Sequence, residues 1–77
     1  MARTKERMNL SAADQTQLLQ WQSAHGTPQQ VALRCRLVLA AAAGQQDLEI
    51  ASAYGVNRHT AALWQRRVRE AGIDAVW

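Results

Sequence analysis

The sequence predicts a small all-α domain of four helices. Three observations carry that expectation. Fifteen of the 77 residues are alanine and one is proline, which favours helix over strand. Apolar residues recur at helical spacing within segments bounded by capping residues and glycines. The last third of the chain holds a short helical segment, a glycine turn and a capped second helix, the parts of a helix-turn-helix.

A chain of 77 residues and 8.6 kDa has room for one domain. A chain of this size buries roughly 60% of the surface its unfolded form exposes, so the core must be compact. Apolar residues make up 48% of the sequence, ordinary for a folded domain. The net charge is +3 and the pI about 10.0. A single cysteine excludes an internal disulfide and points to a reducing compartment, so a cytoplasmic location is expected. One cysteine and two histidines do not close a four-ligand zinc site, and neither metal nor cofactor is expected. No apolar run approaches the roughly 20 residues that span a bilayer. No secretory signal is visible at the N-terminus.

Residues 1–9 read as a flexible basic arm carrying Arg3, Lys5 and Arg7, and residues 10–77 as the folded domain. The first helix starts at Ser11, spaced from Asp14 as in a capping box, with Leu10 as a staple. It carries Leu18, Leu19 and Trp21 and ends near Ala24, where His25 and Gly26 break it. Thr27 and Pro28 open the second helix, which runs to about Ala43 before Gly44. Val31, Cys35, Val38, Leu39 and Ala42 form its inward stripe, widened by Leu33 and Leu37. Arg34 and Arg36 flank that stripe, as solvated side chains or as phosphate contacts. Cys35 reads as a small core residue. The third helix spans Asp47 to Tyr54, capped by Gln46 or Asp47, with Glu49 in its first turn. Ile50, Ala51 and Tyr54 are assigned to the core, Gly55 to the turn, and Asn57 to the cap of a fourth helix from Arg58 to Ala71.

The fourth helix carries the functional signal. At 100° per residue, Trp64, Ala61, Val68, Thr60 and Ala71 share one side, assigned to the core. Arg58, His59, Ala62, Arg66 and Arg69 share the opposite side, with Leu63 at its edge. Arginine's planar fork matches guanine O6 and N7, a small alanine lets a helix axis approach base edges, and an apolar side chain fits a thymine methyl. Between residues 50 and 69 stand four arginines and no carboxylate. Arg58, His59, Ala62, Leu63 and Arg66 are therefore candidate base contacts in a DNA major groove. Asn57, Thr60, Arg67, Arg69, Arg34, Arg36, Arg3 and Lys5 are candidate phosphate contacts.

The run from Val31 to Gly44, with Thr27-Pro28 before it and Leu10-Ser11 at the first helix, resembles the N-terminal domain of bacterial mariner-superfamily insertion-sequence transposases. So does the later stretch with Glu49-Ile50-Ala51, Tyr54-Gly55-Val56-Asn57-Arg58, Thr60, Trp64, Arg67 and Gly72. The resemblance implies a small four-helix domain with a C-terminal helix-turn-helix and a homeodomain-like three-helix core. It also implies recognition of terminal inverted repeats, with Arg58, His59, Ala62 and Leu63 toward bases and Asn57, Thr60 and Arg67 toward phosphates or caps. In that family a second DNA-binding subdomain and a catalytic domain with an acidic triad follow; neither is read in these 77 residues.

Sequence-specific binding of double-stranded DNA without catalysis is thus the leading expectation, by a stand-alone regulator or a transposase's recognition module. No nucleophile–base pair is visible for an enzyme. The alternative is a helical protein-interaction or adaptor module that has lost DNA binding. A homodimer is a further expected partner state, with Leu19 or Trp21 and the tail at Val76 and Trp77 as its candidate surfaces.

Overall fold

The computed structural model describes residues 8–77; Arg3 and Lys5, with the rest of the expected arm up to Arg7, lie outside the described residues. The described chain forms α1 (Ala12–Ser23), α2 (Gln29–Ala42), α3 (Asp47–Tyr54), α4 (Arg58–Ala71) and a 3-10 turn (Ile73–Val76). No strand occurs among the described residues.

Each helix begins where local chemistry places it. The Asp14 amide donates to Ser11 Oγ at 3.0 Å, capping α1. Pro28, not Thr27, is the N-cap of α2, and no side chain caps that end. The Gln46 amide donates to Glu49 Oε1 at 3.0 Å at the head of α3. Asn57 Oδ1 accepts the Thr60 amide hydrogen at 2.8 Å at the head of α4. Between α3 and α4, Gly55 closes α3 in the left-handed region at φ 68°, which glycine enters without the Cβ penalty.

Packing follows α2. Its buried residues include Val31, Cys35, Leu37, Val38 and Ala41, and α1, α3 and α4 all pack on it. Leu18 of α1, Ile50 of α3, Ala61 and Val68 of α4 and Val76 of the 3-10 turn complete the core. Burial pushes the Cys35 thiol up, against smaller opposing effects of a backbone hydrogen bond and Arg36, as suits a core thiol.

Five burial expectations need correction, Ala71 among them: assigned to the core, it is exposed in the last turn of α4. Met8, assigned to the arm, is buried in the core. Tyr54, assigned to the core, is 37% exposed. Trp64 is only partly buried, at the margin of the core. Val76 is fully buried and is no candidate for a contact surface, whereas Trp77 is 54% exposed and meets Trp21 edge to face at 5.6 Å.

Candidate nucleic-acid interface

The inner seam of α4 is Ala61, Gln65 and Val68, spaced four and three apart. That seam is turned about 60° from the direction set by taking Trp64 as the anchor. Gln65 is the residue that sequence reasoning missed. It is 1% exposed, and its Nε2 donates to Asp47 Oδ1 at 2.7 Å and to the Ala61 carbonyl at 3.0 Å. A buried amide with satisfied donors is stable in a core, and this one ties the start of α3 to the middle of α4. Its position in a four–three seam was the signal; its polarity hid it.

The corrected seam resets the outward face. Directly opposite it now stand His59, Leu63, Arg66 and, in the last turn, Glu70, with Ala62 beside them. All are exposed except Leu63, which is half-buried and packs on no core cluster. Arg69 falls on one flank of this face and Arg67 on the other, both exposed. Arg58 falls on the Arg69 flank, but sits in the first turn and is exposed. Glu70 opposes phosphate approach at the C-terminal end, so the part of the face suited to DNA is the N-terminal half, from Arg58 to Arg66. There the amides at the head of α4 add a positive end to the cationic side chains.

Asn57 and Thr60 meet at the cap: the Asn57 oxygen holds the Thr60 amide, while the Asn57 side chain is exposed and Thr60 half-buried. Arg36 is exposed on α2. Arg34 is engaged inside the fold. Its Nη1 donates to the Val76 carbonyl at 3.1 Å, and its guanidinium carbon lies 4.2 Å from the Trp64 ring centroid. The Arg67 guanidinium carbon lies 4.8 Å from the same centroid. Among the described residues, no group of three or more His, Cys, Asp or Glu side chains could hold a metal ion.

A short helix, a turn closed by a left-handed glycine and a capped helix whose outer face is flanked by arginines define a helix-turn-helix. The sequence model of the homeodomain-like domain family matches residues 28–77, and the chain belongs to that family. The matched span begins at Pro28 and takes in α2, α3 and α4, with α1 outside it. Membership points to DNA as the partner in general terms. No curated protein and no solved structure matched the chain.

Proposed function

We propose that the protein is a non-catalytic, sequence-specific binder of double-stranded DNA that lays the N-terminal half of α4 in the major groove. Arg58, His59, Ala62, Leu63 and Arg66 face bases. Asn57, Thr60, Arg67, Arg69 and Arg36 face the flanking phosphates, joined by Arg3 and Lys5. Arg34 is left out of that set because its guanidinium already serves Val76 and Trp64. The observation that carries the reading is the outer face of α4, where exposed His59, Ala62 and Arg66 surround a half-buried Leu63 that no core cluster claims. A major groove accepts each of these groups: a guanidinium on guanine, a small alanine at close approach and an apolar side chain on a thymine methyl.

The biological setting is either a bacterial regulator or the inverted-repeat recognition module of a mariner-superfamily transposase, acting in the cytoplasm at the nucleoid. A single small module buries about 600–1,000 Å² on DNA, so high specificity calls for a second module or a homodimer. The test is selection of bound duplexes from a random pool, then titration of the best duplex at two salt concentrations. A defined consensus and an affinity falling steeply with salt are expected. A protein-interaction module is favoured by exposed Leu48, Leu19 and Trp77. It predicts no consensus, and partner binding that hardly responds to salt.

A further inference from the structure

Trp64 is the one large side chain of α4 that the core takes only in part. Its ring carries two guanidiniums from different helices, Arg34 of α2 at 4.2 Å and Arg67 of α4 at 4.8 Å. Arg34 is fixed at its far end by the Val76 carbonyl, so it braces the ring against α2 and the 3-10 turn. Neither a π face nor a carbonyl neutralises a guanidinium, so both charges persist at this edge. Arg67 is exposed and lies three residues from Trp64, its surface neighbour on the helix. It borders the outward face of α4 on the side of the ring. An arginine that swings freely in water loses most of its rotamer freedom when it meets a phosphate. One already lying on an aromatic plane has lost part of that freedom in advance, and preorganisation of this kind raises affinity without adding a contact.

We infer that Trp64 is a positioning residue for DNA binding: its indole, braced by Arg34, holds the Arg67 guanidinium ready for a backbone phosphate beside the reading face. The inference rests on the DNA-binding reading above and adds a residue that touches no DNA itself. A double-mutant cycle tests it, using wild type, Trp64→Leu, Arg67→Ala and the double variant, with Trp64→Phe as the conservative control. Each is titrated with the selected duplex and a random duplex, with thermal unfolding measured in parallel. Arg67→Ala is expected to weaken both duplexes and to reduce the salt slope by about one. Trp64→Leu is expected to weaken binding about 2–5-fold, the worth of an exposed cation–π contact, with the slope unchanged. In the Arg67→Ala background Trp64→Leu is expected to cost nothing more, and Trp64→Phe to retain most of the affinity.

Equal losses from Trp64→Leu in both backgrounds would overturn the inference, as would Trp64→Phe proving as damaging as Trp64→Leu. Side-chain Nε relaxation of Arg67 in the free wild-type protein decides the matter should Trp64→Leu not fold. Order above that of Arg66 is expected, and equal mobility overturns the inference. Failure of the wild type to bind any duplex at low salt would remove the DNA reading itself, whereas normal binding without Trp64–Arg67 coupling sinks the positioning role alone.

Discussion

Helices α2 and α4 have the same length, 14 residues, and opposite uses. Seven residues of α2 are buried, and three helical partners pack on it. Three residues of α4 are buried, and one of those is a glutamine. Both helices carry arginines. On α2, Arg34 is drawn into the fold by a carbonyl and an indole; on α4, Arg58, Arg66 and Arg69 stand exposed. A helix held by so narrow a seam has most of its surface free for a partner. The difference teaches that arginine content alone does not mark a binding helix: Arg34 serves the fold, whereas Arg58, Arg66 and Arg69 stand free to meet a partner.

Substitutions at the two helices should separate cleanly. Leu37 of α2 is fully buried, so Leu37→Ala should lower stability by about 2–5 kcal/mol, a large share of what a domain of this size holds. Denaturant unfolding measures it; a loss below about 1 kcal/mol would mean that α2 is not the centre of the core. Arg66→Ala on α4 should leave stability within about 0.5 kcal/mol and weaken the selected duplex by about 1–3 kcal/mol, more than it weakens random DNA. Equal weakening on both duplexes would reassign Arg66 to the phosphates. Gln65→Ala should be the exception on α4, costing about 1–3 kcal/mol of stability through a lost buried hydrogen-bond pair. A neutral result would break the seam argument.

Much of this contrast was legible in the sequence, because caps and glycines are local. The bounds of α3 and α4 coincide with those the sequence predicts, since Glu49, Gly55, Asn57 and Gly72 act within a few residues of themselves. What escaped were facts set by distant partners. Trp64 looked like the anchor of its helix by size, but its ring is occupied from α2 by Arg34, which is itself tied to a carbonyl 42 residues along the chain. Tyr54 has the spacing of a core residue, yet more than a third of its surface stays open to solvent. Gln65 is polar by type, yet the Ala61 carbonyl and Asp47 satisfy its amide within the core. Glu70 lies at the centre of the outward face only when the seam runs through Ala61, Gln65 and Val68 rather than being centred on Trp64.

The turn that sets α4 against α3 offers a smaller test. A Cβ at Gly55 would meet nothing within 4 Å, so Gly55→Ala isolates the cost of the left-handed backbone at φ 68°. About 1–2 kcal/mol of stability should be lost, read by thermal unfolding, with duplex affinity largely kept. Smallest of all, Ser11→Ala should cost about 1 kcal/mol through the cap of α1 and leave DNA binding untouched, because α1 lies outside the helix-turn-helix. A change in binding there would extend the interface to α1.

The most direct measurement of the central claim is an amide chemical-shift map recorded while the selected duplex is added at low ionic strength. The account predicts the largest changes at Arg58, His59, Ala62, Leu63 and Arg66, smaller ones at Asn57 and Arg67, and little at Leu19 or Trp77. Shifts gathered on α1 and Trp77 while α4 stays silent would contradict it.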